Sequence, residues 1–178
     1  MDAWVDAVSG ARLSPGGVPC PPAGAAAPRR TDGRRSTSGR VRVLVVDDDV
    51  SFLAAAARAL AAGNPPFDVA TVESGAAAIA LLERSADGDG PLPDFVLLDF
   101  HLPDTTAPSV LGQLSLHPTL KGLPVLVLTR DARDEARTDA LVAGARDFAH
   151  KPSRVHALRE LAIRFWQRHG PDADDPPR

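Results

Sequence analysis

Three features of this sequence predict an α/β fold built on a parallel sheet. Short apolar runs alternate with longer helix-forming stretches, five of each. The runs beginning at Val41, Phe95 and Val125 are continuously apolar rather than alternating. Each helical stretch is bounded by capping residues, glycine or proline. Alternation of this kind implies parallel strands with helices on both faces. Continuous apolar runs are what strands covered on both sides require. The expected architecture is a doubly wound five-stranded parallel sheet in a single domain.

The elements follow in order. Val41–Val46 is an apolar strand ending in acids. Val50–Ala62 reads as a helix rich in Ala and Leu, stopped by Gly63-Asn64-Pro65-Pro66. Phe67–Val72 is a short strand, and Ser74–Ser85 a helix with Ser74 as its N-cap. Gly88, Gly90, Pro91 and Pro93 punctuate a loop before the buried strand Phe95–Leu98. Pro108–Leu116 is a helix that tolerates proline in its first turn, where the missing N–H has no partner to lose. Val125–Leu128 is a strand, and Asp134–Val142 a helix ended near Gly144. Arg146–Ala149 is a short strand, and Arg154–Arg168 the last helix. Phe165 and Trp166 on it read as core, or in part as an exposed docking face.

Composition bounds the rest. The 178 residues are 44% apolar and 24% charged, a soluble balance, and 178 is enough for one full domain. Only 4% are aromatic, so Val, Leu, Ile and Ala must build the core. A net charge of −3 argues against a nucleic-acid module. The lone Cys20 excludes a disulfide framework and a cysteine zinc site, and the five histidines show no ligand spacing. No apolar run approaches the ~20 residues of a membrane helix, and no secretory or twin-arginine signal pattern is present. A cytoplasmic protein without membrane or nucleic-acid contacts is expected. Residues 1–40, rich in Pro, Gly, Ala and Arg, read as a disordered leader whose basic end is a solvated arm. Residues 41–168 read as the domain, and 169–178 as a disordered acidic, Pro-rich tail.

The chemistry gathers where the strands end. In an open parallel sheet, ligands bind outside the carboxyl ends of the strands. Asp47, Asp48 and Asp49 follow the first strand, Asp99 the third, Thr129 the fourth and Lys151 the fifth. Clustered carboxylates repel one another unless a cation sits among them. Mg²⁺ suits oxygen ligands of this kind. A carboxylate can also attack a phosphoryl group to form an acyl phosphate, with a metal, an ammonium and a hydroxyl neutralising the transferred oxygens. Lysine occurs at two positions only, 121 and 151, so its appearance beside the acids is suggestive. Asp49 reads as a helix cap or a solvated charge.

The strings VRVLVVDDD (41–49), DFVLLDFHLPD (94–104), PVLVLTRDA (124–132) and GARDFAHKP (144–152) resemble the receiver domain of two-component response regulators, here of the stand-alone, CheY-like kind. The resemblance spans nearly all of 41–168. It implies a flavodoxin-like strand order 2-1-3-4-5 and a phosphoprotein that receives its phosphoryl group from a histidine kinase or histidine phosphotransfer protein, using Mg²⁺. It implies that Asp99 is the phosphoacceptor. It further implies metal binding by Asp48 directly, Asp47 through water, Asp99, and the backbone carbonyl of His101. Thr129 matches the hydroxyl that bonds the phosphoryl group, Lys151 its ammonium partner, and Phe148 the aromatic that swings inward on activation. Pro152 matches the proline whose preceding bond is usually cis. Output is expected through a downstream protein contacting roughly residues 134–168, from a monomer or weak dimer, since no output domain fits after residue 168.

Two positions depart from the family pattern. Ala107 stands where glycine is usual; a positive φ there would strain it. Arg130 follows Thr129, where a small residue is usual, and a guanidinium there would shield the site, slow water attack or alter partner choice. Two other readings stand beside this one. A docking module that keeps the fold without phosphorylation draws on Ala107 and Arg130. A haloacid-dehalogenase-type phosphatase would need a later acidic pair, and only Asp174-Asp175 in the tail offers one.

Overall fold

The computed structural model describes residues 40–130 and 134–170; the leader before Arg40 and the tail beyond Gly170 lie outside them. The order is β1 (Val41–Val46), α1 (Val50–Ala61), β2 (Phe67–Val72), α2 (Gly75–Ala86), β3 (Phe95–Asp99), α3 (Ala107–Leu116), β4 (Val125–Thr129), α4 (Asp134–Val142), β5 (Asp147–His150) and α5 (Val155–His169). The five strands form one parallel sheet in the order β2-β1-β3-β4-β5. This is the predicted doubly wound, flavodoxin-like topology.

Side chains alternate across the sheet, so each strand serves two cores. Val43 and Val45 face α1 and α5 together with Phe95, Leu97, Leu126 and Leu128. Leu44 and Val46 face α2, α3 and α4 together with Val96, Leu98, Val125 and Val127. Phe95 is fully buried and touches Phe67, Phe165 and Trp166, with ring centroids 5.6–5.9 Å apart. Phe165 is therefore a buried core residue, and Trp166 is half-buried against the same core.

Local chemistry sets the helix starts. Asp49 caps α1 by accepting from the Phe52 N–H at 3.0 Å, and Ser74 caps α2 by accepting from Ala77 N–H at 3.2 Å. Proline sits in the first turn of α3. Gly144, at φ +109°, lets the chain leave α4 and enter β5. Boundaries differ from the sequence reading by about one residue. β3 extends to Asp99, β4 to Thr129, and β5 runs Asp147–His150. α5 continues through His169, one residue into the stretch read as tail.

The strain considered at Ala107 is absent: no non-glycine residue among those described has a positive φ. Ala107 is the first helical residue of α3, its N–H donates to the Phe100 carbonyl at 3.0 Å, and its methyl group is fully buried. The bond before Pro152 is also not cis. The cis bond among the described residues precedes Pro65. An X–Pro amide favours trans modestly, and with trans geometry Lys151 still reaches the acids beside it.

Candidate functional site

The topology carries Asp47, Asp99, Thr129 and Lys151 to the same end of the sheet. β1, β3, β4 and β5 lie side by side, and each delivers its residue at or just past its last position. The Asp47 N–H donates to the Val72 carbonyl at 3.1 Å, and the Lys151 N–H to the Thr129 carbonyl at 2.6 Å. Backbone bonds of the sheet therefore continue one step beyond the strands and fix the first atoms of the site.

Most of the site is buried for so polar a set. Relative exposure is 1% for Asp47, 9% for Asp99, 0% for Thr129 and 4% for Lys151, while Asp48 is exposed. One Asp47 oxygen accepts from the Asp49 N–H at 3.0 Å, and the other is ion-paired with the Lys151 ammonium. Lys151 Nζ lies 3.7 Å from Asp99 Oδ2 and 4.4 Å from the centre of the Phe52 ring. Phe52 thus forms an apolar wall beneath the ammonium; its role was not read from the sequence, where it looks like any apolar position of a helix.

Carboxylate oxygens of Asp47, Asp48 and Asp99 all lie within 4.8 Å of one another. Three acids face one ammonium, leaving an excess of negative charge. Burial pushes the Asp99 carboxyl up to about 6; Lys151 pulls it down, and the Asp47 and Asp48 charges push it further up. An all-oxygen donor set with surplus charge suits a hard divalent cation such as Mg²⁺. His101 lies in the loop after β3, two residues beyond Asp99, and forms a bridge with Thr106. The His101 ring packs against Phe100, at 4.8 Å between centroids.

Phe148 and Pro152 lie on opposite sides of the strands. Phe148 is half-buried against the core of α2, α3 and α4, edge-on to Phe100 at 6.5 Å. Pro152 lines an open groove of about 570 Å³ together with Asp49, Phe52, Arg130 and Lys151. Arg130 reaches over to Asp49, Nη2 to Oδ2 at 3.1 Å. Asp49 is thereby cap and counter-ion together, and the Phe52 N–H first and Arg130 second hold its carboxyl below the usual range.

Sequence reasoning missed Asp104. Its carboxylate accepts from the Gly75 N–H at 3.0 Å and the Ala76 N–H at 2.8 Å. It thereby ties the loop after β3 to the start of α2, and these two bonds lower its pKa. The contact spans 28 and 29 residues of chain, so no local pattern reveals it.

A family model described as the response regulator receiver domain matches residues 43–163. The transcriptional regulatory protein PrrA of Mycobacterium tuberculosis is 37% identical over 123 residues, 69% of this chain and 47% of that protein. A protein-glutamate methylesterase/protein-glutamine glutaminase of Anaeromyxobacter dehalogenans is 37% identical over 121 residues, 67% of this chain and 33% of that protein. The chain thus spans between a third and half of these curated relatives. Among solved structures, the phosphorylated cyanobacterial phytochrome response regulator RcpA superposes with a TM-score of 0.64 at 24% identity, over 73% of this chain and 94% of that one. The chemotaxis response regulator CheY4 of Vibrio cholerae gives 0.62 at 22% identity, over 71% and 98%. No helix among the described residues is long and apolar enough to cross a membrane. Sequence motifs, sheet order and the family match agree: the chain belongs to the receiver-domain family of two-component response regulators.

Proposed function

We propose that this receiver domain accepts a phosphoryl group on Asp99 from a histidine kinase or histidine phosphotransfer protein, and signals through protein contacts. The observation that carries the reading is the placing of the Asp99 carboxylate, which lies within reach of the Asp47–Asp48 pair and 3.7 Å from Lys151 Nζ. In the step proposed, an Asp99 oxygen attacks phosphorus, the bond from phosphorus to the donor atom breaks, and an acyl phosphate forms. Asp47, Asp48, Asp99 and the backbone carbonyl of His101 would hold Mg²⁺, which supplies charge neutralisation to the phosphoryl oxygens when bound. Lys151 provides a second positive charge, and the Thr129 hydroxyl a hydrogen bond. Movement of Thr129 toward the phosphoryl group would draw in Phe148, which already borders the core. Output would pass through the surface of α4, β5 and α5, roughly residues 134–168. Pro152 shapes the groove beside Lys151. Ala107, buried without strain, lends no support to a phosphate-independent docking module.

Intact mass after incubation with acetyl phosphate and Mg²⁺ tests this reading. One added phosphoryl mass is expected, absent without Mg²⁺ and absent in Asp99→Ala. No adduct, together with no binding of beryllofluoride, would reject it in favour of the docking module.

A further inference from the structure

The ion pair between Arg130 and Asp49 joins two turns that flank the strand carrying Asp99. Asp49 belongs to the turn after β1 and Arg130 to the turn after β4. These two strands flank β3, whose last residue is Asp99. A bond joining the two turns therefore links the strands on either side of β3 at the end where Asp99 stands. Both ends are anchored. The Asp49 carboxylate is held by the Phe52 N–H at 3.0 Å, and its own N–H donates to Asp47 at 3.0 Å. Arg130 directly follows the buried Thr129. The pair also borders the groove of about 570 Å³ that opens onto Lys151.

We infer that the Arg130–Asp49 pair is a strap across the mouth of the site, and that Arg130 is a positioning residue that sets how long a phosphoryl group on Asp99 survives. The inference rests on the phosphoacceptor reading above. Loss of the group requires a water oxygen to attack phosphorus. The bond from phosphorus to the Asp99 oxygen then breaks, inorganic phosphate leaves carrying one of the water's protons, the other passes to solvent, and the carboxylate returns. A guanidinium joining the turns on either side of β3 would narrow the path for that water. With 70% and 39% of the two side chains exposed, the strap is held weakly and opens often. Its effect is a graded slowing, not a seal.

The test measures decay of the phosphorylated full chain by intact mass, after loading with acetyl phosphate and Mg²⁺ and removal of the donor. Variants are Arg130→Ala, Asp49→Asn and the pair combined. Asn retains the N-cap while losing the charge, so the fold of α1 is kept. Each single variant is expected to shorten the lifetime about two- to five-fold, the range an exposed ion pair can hold. The double variant should add little to either, because one interaction is removed in all three. Raising salt to about 1 M should shorten the wild-type lifetime toward that of the variants. Equal lifetimes in all four proteins would overturn the strap while leaving the phosphoacceptor reading intact. So would an effect of Arg130→Ala that Asp49→Asn does not share. Failure of the wild type to load at all would overturn both.

Discussion

The Lys151 ammonium is paired with Asp47, while Asp99, the proposed acceptor, lies 3.7 Å from the same nitrogen. A single cation is thus shared unequally between two buried acids, and the ground state favours the one that does not react. Removing it leaves the Asp47 charge buried without compensation. Lys151→Ala should destabilise the metal-free protein by about 3 kcal/mol, read by urea denaturation. Lys151→Ala combined with Asp47→Ala should cost less than Lys151→Ala alone, since the second change removes the orphaned charge. Additive losses would show that the pair is not coupled.

Asp99 titrates near 6 when folded, against an ordinary value of 3.8. A raised carboxylate pKa means that the folded state binds the proton more tightly than the unfolded chain. Its contribution to stability is present at low pH and is lost as pH rises from about 4 through about 6. In metal-free buffer, Asp99→Asn should therefore be more stable than wild type at pH 7, with the difference vanishing near pH 4. Denaturation midpoints of the two proteins across that range would check the sign.

Asp104 joins the loop after β3 to the first turn of α2 by two N–H bonds. Its pKa is lowered, so this tie contributes above the ordinary carboxylate range and weakens as pH falls below it. Asp104→Ala should lower the melting temperature at pH 7 and expose the amides of Gly75 and Ala76 to faster hydrogen exchange. Unchanged exchange at those amides would refute the tie.

Ala107 is better than the usual glycine here, because its backbone has no positive φ and its methyl group is buried. Ala107→Gly should cost about 1 kcal/mol through the added freedom of the unfolded chain and the lost contact. A stabilising effect, measured by urea denaturation, would mean that the alanine strains the turn.

Phe95 is fully buried beneath Phe67, Phe165 and Trp166. Phe95→Ala should destabilise by about 3–5 kcal/mol and shift the emission of the native protein, because Trp166 loses a stacked neighbour. Near-native stability would show that the core closes over the gap.

The central strands were legible because burial on both faces leaves continuous apolar runs, as in Phe95–Leu98 and Val125–Leu128. Asp47, Asp99, Thr129 and Lys151 were legible because position at a strand end is a property of sequence. The register of Arg146–Ala149 slipped by one residue; short β5 has no fully buried position to mark its phase. The consequence of Ala107 could not be read, since a backbone angle leaves no trace in composition. Arg130 was visible as a departure, but its partner Asp49 lies 81 residues away and emerges only when β1 and β4 are set on either side of β3.

β3 and β5 differ in how firmly the sheet grips them. Asp99 ends an inner strand, bonded to β1 on one side and β4 on the other, with all five residues buried. Lys151 follows an edge strand of four residues, bonded to β4 alone, with none buried. Displacing β3 would break two ladders and open both cores; tilting β5 disturbs one ladder and little packing. Asp99 therefore stands on the firmest part of the sheet and Lys151 on a yielding edge. Were Asp99 to take up the proposed phosphoryl group, β5 is the part of the sheet that could yield with the least loss of bonding and packing.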